Sequence, residues 1–244
     1  MGIKKLLSTA ASVATAETRN TQATDFENVL PFAAEKLCIS RNPHDYYLTT
    51  VPILTSDLPN RNGVGMPLKE LAAWNIDMGR QAYMGWKGMP LHYEHAADDP
   101  TKAIGLIADV ALVPVKGFNG GRIYKLLALA AVDCTKRTDI TSRIAKGELI
   151  TWSMGCLVEQ YLCSYCGALE GRCSHINPDK NIEFYVLNGI LVHRNVAGIQ
   201  ARELSAVEDP AFPSAIGIHD WASRYDTVVP IDSDKATLVM PVGS

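Results

Sequence analysis

The sequence lacks any apolar run near the roughly 20 residues a helix needs to span a bilayer. It also lacks a surplus of positive charge: with a net charge of -3 and no long basic run, it has no electrostatic footprint for nucleic acid. G-x-G-x-x-G, P-loop, H-E-x-x-H and G-x-S-x-G motifs are all missing, so none of those local signatures assigns a chemistry. No internal repeat is present. What remains is 244 residues with 47% hydrophobic content, enough to bury a core as one domain with an insertion. The expectation is a soluble globular protein without nucleic-acid or membrane partners.

The N-terminus imitates a secretory signal, with Lys4 and Lys5 before a mildly apolar stretch and small residues around "ATA". Ser8, Thr9, Ser12 and Thr15 dilute that stretch, which then reads as a flexible or weakly helical leader. Further on, "YYLTTVPILT" is a β-branched and aromatic run that breaks at the turn-rich "DLPNRNGVG". "PLKELAAWNIDMGRQAY" has near-helical spacing, with Leu68, Leu71, Ala72 and Ile76 or Met78 on one side. "AIGLIADVALVPV" and "RIYKLLALAAV" read as buried strands joined by the turn "KGFNGG". "KRTDITSRIAKGEL" reads as a short helix starting at Thr138 or Asp139 and stopping at Gly147. "LITWSMGCLV" and the stretch from "EFYVLNGILV" to "ARELSAVEDPAFP" are rich in strand signals, and the last residues form a tail. Strands interleaved with few helices point to an α+β or mainly-β barrel.

Three of the six cysteines, Cys38, Cys134 and Cys156, lie singly in apolar segments. The others cluster as C-x2-C-x6-C-x-H: Cys163, Cys166, Cys173 and His175. Thiolates and an imidazole at these gaps can close a tetrahedron around zinc, and Gly167 and Gly171 permit the tight turns such a knuckle needs. A pair of disulfides is the competing reading, and His193 competes with His175 as fourth ligand. Four protein ligands leave no open position, so the zinc would be structural.

Three constellations could carry chemistry: His92 and His95 in "GMPLHYEHAADDPTKAIGLI", Ser153 in "WSMG", and Glu203, Glu208 and Asp209 in "ARELSAVEDPAFPSA". A serine hydroxyl needs a base to take its proton, and the base works best when an acceptor orients its ring. A zinc hydrolase built on His92 and His95 is a weaker reading, because H-x2-H lacks the i, i+4 helical geometry of metalloproteases.

Four segments, "SDLPNRNGVGMPLKEL", "PLHYEHAADDPTKAIGLI", "LITWSMGCLVE" and "ARELSAVEDPAFPSA", resemble in content and order the prohead (capsid maturation) proteases of tailed phages, relatives of the herpesvirus assemblins. The resemblance implies an assemblin-like closed β-barrel ringed by a few helices, with the zinc knuckle as an insertion. It implies Ser153 as nucleophile in an S-x-G strand, His95 as base with His92 as rival, and Glu203 as third member with His193 as rival. Oxyanion stabilisation would come from backbone around Asp209 to Phe212. The function implied is a serine endopeptidase that cleaves scaffold and capsid proteins, self-associates inside the assembling prohead in the host bacterial cytoplasm, and cuts itself. "VATAE|T" and "PFAAE|K" are the candidate self-cleavage sites. The corresponding organisation is a removable leader over 1–45, a protease domain over 46–220 with its insertion at 161–180, and a tail over 221–244. The alternative is a non-catalytic, zinc-stabilised capsid-assembly or scaffold protein.

Overall fold

The structure is a computed structural model that describes residues 16–96, 99–116, 122–176 and 184–212; for 16–25 and 122 only the backbone is described. The "VATAE|T" site begins outside these residues, and the "KGFNGG" turn falls largely outside them. The tail lies wholly outside.

In chain order the elements begin with helix α1 (Ala16–Leu37), strand β1 (Tyr46–Thr55), strand β2 (Val64–Gly65) and the single turn α2 (Leu68–Leu71). The small hairpin β3 (Trp74–Asn75) and β4 (Arg80–Gln81) follows, then a 3-10 segment, Ala82–Trp86. Next come β5 (Pro90–Tyr93), β6 (Gly105–Lys116), β7 (Arg122–Asp133) and helix α3 (Thr138–Lys146). The series ends with β8 (Trp152–Cys163), β9 (Tyr185–Leu187), β10 (Ile190–Val192) and β11 (Arg194–Ala206). The architecture is thus mixed and mostly strand with few helices. Among the described residues no helix is long and apolar enough to cross a membrane.

The main sheet has seven strands in the order β1-β7-β6-β5-β11-β2, with β8 pairing β11 off that path. The barrel expected from the sequence is not closed by backbone pairing: β1 pairs with β7 and β8 with β11, while β1 and β8 only pack against each other. The inner face carries the main core, with Trp86, Trp152, Ile53, Leu91, Leu126 and Leu204 fully buried. On the other face, α1 lays Phe26, Leu30, Ala34 and Leu37 over Ala103, Leu106, Ala108 and Ala131 in a second cluster.

The helix expected over "PLKELAAWNIDMGRQAY" stops after one turn. Asn75 Oδ1 accepts a hydrogen bond from the Met78 amide at 3.0 Å, closing a local turn that competes with helix propagation. Trp74 and Ile76 are consequently exposed. Helix α3 follows its sequence signals: Gly147, at φ 74°, ends it by donating its N–H to Arg143 and Ile144 carbonyls.

A bulge in β11 decides which side chains reach the site. Ala201 pairs with Cys156, but Glu203 pairs with Gly155, so Arg202 is the extra residue. Ile199 and Ala201 face the core before the bulge, and Leu204 and Ala206 face it afterwards. Glu203 and Ser205 are thereby turned to the opposite face.

Candidate active site and metal centre

On the face away from the main core, the ladder of β5, β11 and β8 sets His92, Ser205 and Ser153 in one row across three adjacent strands. Glu203 and Gly155 form the neighbouring row. Directly opposed residues on paired strands have Cβ atoms about 5 Å apart, so Ser153 stands close to Ser205 and, diagonally, to Glu203. All four polar residues are buried, with His92 and Ser205 at 0% exposure, Glu203 at 1% and Ser153 at 7%.

His95 comes to this row from the turn that follows β5. Glu94 and His95 are both left-handed, at φ 51° and 55°, a conformation that costs non-glycine residues about 1–3 kcal/mol each. Three contacts hold the turn. The Glu94 amide donates to the Ala206 carbonyl at 3.1 Å, the His95 amide donates to Ser205 Oγ at 3.2 Å, and Glu94 Oε1 accepts from the Glu208 amide at 2.9 Å. The strained turn brings His95 Nδ1 to 2.7 Å from Glu203 Oε1.

Glu203 is acceptor-only, so the contact places the proton on Nδ1 and leaves Nε2 as the free, basic nitrogen. The hydrogen bond to Glu203 raises the His95 pKa above its ordinary value, burial opposes it, and the negative charges of Glu203 and Glu94 add to the rise. The second carboxylate oxygen, Oε2, accepts a hydrogen bond from the Ser205 hydroxyl. Gly155 makes room for this arrangement. A Cβ there would meet Glu203 Oε1 at 2.5 Å and Cγ at 2.9 Å. The missing side chain therefore admits the carboxylate.

Ser153 has its hydroxyl free of hydrogen bonds among the described residues. Ser205, by contrast, is committed to Glu203 and shut from solvent. Of the two serines in the row, Ser153 is the one whose hydroxyl is not committed to Glu203.

The rival residues are placed elsewhere. His92 is fully buried beside Ser205, with neither ring nitrogen hydrogen-bonded, and burial lowers its pKa while Glu203 pulls it the other way. His193 sits at the far end of β11, where Nε2 lies 3.0 Å from Asn195 Oδ1 and Nδ1 lies 3.2 Å from the Leu191 carbonyl. Nine residues of strand, 194–202, separate it from Glu203, about 30 Å. His193 therefore lies away from His95, and the four clustered ligand atoms do not include it.

Beside the His95 turn lies a cleft of about 310 Å³ lined by Tyr93, Ala96, Ile104, Lys102, Lys136 and Arg137. The segment after β11 borders the site and is tied down by ion pairs of Glu208 with Arg143, at 2.9 Å, and of Asp209 with Arg61.

The second site occupies the opposite end of the β8–β11 ribbon, again about 30 Å from Ser153. The ligand atoms of Cys163, Cys166, Cys173 and His175 all lie within 4.8 Å of one another, and His175 Nδ1 is 3.4 Å from Cys166 Sγ. Metal–sulfur bonds of about 2.3 Å in a tetrahedron put neighbouring ligand atoms about 3.8 Å apart, so the cluster can hold a metal ion. All six cysteines are free thiols, which leaves the disulfide reading without support. Gly167 and Gly171 have φ of 74° and 77°, the left-handed turns expected of them. Burial raises the pKa of Cys163, whereas amide hydrogen bonds, first that of Ile176, lower Cys173 to about 7. Among the described residues this is the one group of three or more potential ligands, so His92 and His95 do not assemble a metal site.

The sequence reading missed Ser205, the Glu94 brace and the space that Gly155 leaves for Glu203. The E-x-S spacing of Glu203 and Ser205 places both on one strand face, which is the signal that could have found the first. No family model matches the chain, and no match was found among curated proteins or solved structures.

Proposed function

We propose that the chain is a serine endopeptidase of the prohead type, with Ser153 as nucleophile, His95 as base and Glu203 as the carboxylate behind the imidazole. The observation that carries this reading is the 2.7 Å contact between His95 and a buried Glu203, on the strand face that also bears Ser153. His95 Nε2 takes the Ser153 proton as Oγ attacks the scissile carbonyl, and Glu203 stabilises the imidazolium that forms. The imidazolium then protonates the leaving amine, an acyl-enzyme remains on Ser153, and His95 activates the water that releases it. Backbone amides around Asp209 to Phe212 are the proposed oxyanion donors, and the cleft beside His95 is the proposed substrate entry.

The proposed substrates are scaffold and capsid proteins of an assembling prohead in a bacterial cytoplasm, together with the enzyme's own N-terminal leader. The mostly-strand sheet, with β1 and β8 packed together at its margins, is compatible with an assemblin-like barrel, and that finer fold assignment belongs to the same proposal. The ion we assign to the cysteine cluster is zinc, because three thiolates and an imidazole suit it and fill its tetrahedral shell. At its distance from Ser153 it would brace the far end of the ribbon and take no part in hydrolysis. A non-catalytic assembly protein with the same metal-braced fold is the alternative, favoured by the lack of a Ser153–His95 hydrogen bond. Such contacts often tighten only when substrate binds.

Intact mass of the full chain separates the two readings. Wild type should trim itself, and Ser153→Ala should stay at full length, since loss of a triad nucleophile removes most of the rate enhancement. Equal trimming of both purified chains, or no trimming and no peptide cleavage by wild type, would overturn the serine mechanism.

A further inference from the structure

We propose that Ser205 is a positioning residue of this site: a buried hydroxyl that holds both halves of the His95–Glu203 pair at once. The proposal rests on the endopeptidase reading for its consequence in catalysis, but its geometry stands without it.

One oxygen makes two contacts that meet the pair from different elements. As donor, the Ser205 hydroxyl binds Glu203 Oε2, which fixes the carboxylate plane so that Oε1 points at the imidazole. As acceptor, it takes the backbone N–H of His95 at 3.2 Å, which fixes the turn that carries the ring. The carboxylate is almost wholly buried, so without Ser205 its second oxygen loses a donor that water cannot readily replace. The turn would lose one of three contacts that oppose the strain of two successive left-handed residues. The bulge at Arg202 is what puts Glu203 and Ser205 on this face together.

The groups facing the His95 ring are Glu203 from β11, Glu94 from the same turn and His92 from β5. If Glu203 is released from Ser205, it is free to swing from His95 toward His92, which the Lys102 backbone and Asp99 also face. The pKa of His95 should then fall toward its ordinary value near 6.5, and that of His92 should rise.

The test has two arms. In the first, the full chain carrying Ser153→Ala, which cannot digest itself, is titrated by NMR with and without Ser205→Ala. The expected result is a fall in the His95 pKa with an unchanged fold. An unmoved or raised His95 pKa overturns the proposal, whatever the chain's activity. In the second arm, Ser205→Ala with Ser153 intact is assayed on a peptide spanning "VATAET". Misplacement of a catalytic pair by about 1 Å costs about a hundredfold in rate, so kcat should fall on that order with KM held. An unchanged kcat overturns the proposal, while inactivity of wild type on this peptide and on itself overturns only the endopeptidase reading. Ser205→Cys keeps the shape but offers a weak S–H donor, and it replaces the alanine variant in both arms if that chain does not fold.

Discussion

Glu203 and Gly155 illustrate how little room the site leaves at the scale of single residues. Glu203 Oε1 occupies the volume that any side chain at position 155 would need. Gly155→Ala should displace the carboxylate from His95, and Glu203→Gln should leave it in place without its charge. Both should lower the His95 pKa and the cleavage rate, the latter by about 10⁴-fold for Glu203→Gln. The sign of the pH effect follows from the raised pKa of His95. Its pairing with Glu203 favours the folded state fully below the unfolded pKa of about 6.5 and fades as pH rises through the higher folded value. The stability gap between wild type and Glu203→Gln should therefore be wider near pH 6 than near pH 9, as denaturant unfolding at the two pH values would reveal. Activity should run the other way in wild type, rising with pH as His95 loses its proton. An equal stability gap at both pH values would show that the pair does not carry the shift.

At the scale of elements, the β8–β11 ribbon separates two kinds of chemistry. Its bulged end carries the Ser153, His95 and Glu203 face, and its other end carries the cysteine cluster. That cluster has its own small apolar nucleus, Cys163, Ile176 and Val192, apart from the main core. Metal binding there should be coupled to folding of the knuckle and the β9–β10 hairpin rather than of the whole sheet. One zinc per chain should copurify, and Cys166→Ser should lose it. Amide exchange over 161–176 should then speed up, while the His95 titration stays as in wild type. A Cys166→Ser chain that retains stoichiometric zinc, or a purified wild type without metal, would contradict the assignment.

For the whole molecule, the leader cannot be treated as one removable piece. Helix α1 closes the second cluster with Phe26, Leu30, Ala34 and Leu37, so residues before and after the "PFAAE|K" bond are both packed on the sheet. Cutting after Glu35 would divide a docked helix, whereas cutting after Glu17 spares every residue of that face whose burial is described. The trimmed chain should begin at Thr18, as N-terminal sequencing or intact mass would establish, and not at Lys36. Leu30→Ala, at a position 1% exposed, should cost about 2–5 kcal/mol in thermal or denaturant unfolding. A product starting at Lys36 with undiminished stability would mean that α1 is dispensable to the fold.

Local chemistry alone determined a good part of this protein. Alternating and β-branched runs marked β1, β6, β7, β8 and β11, because burial on a pleated sheet leaves a period that composition preserves. The Cys163, Cys166, Cys173 and His175 spacing marked the metal cluster, because its ligands are neighbours along the chain and two glycines set its turns. Gly147 marked the end of α3 for the same local reason. Tertiary structure decided the rest. That His95 and not His92 meets Glu203 depends on a strained turn braced from β11 and beyond. That Glu203 and Ser205 leave the core face depends on one extra residue at Arg202, which the sequence shows only as a two-residue gap between Ala201 and Leu204. The sheet's failure to close between β1 and β8, and the docking of α1, follow from contacts between segments far apart in sequence. Period and spacing report what a residue's neighbours along the chain require, whereas these features depend on groups that only the folded chain brings together.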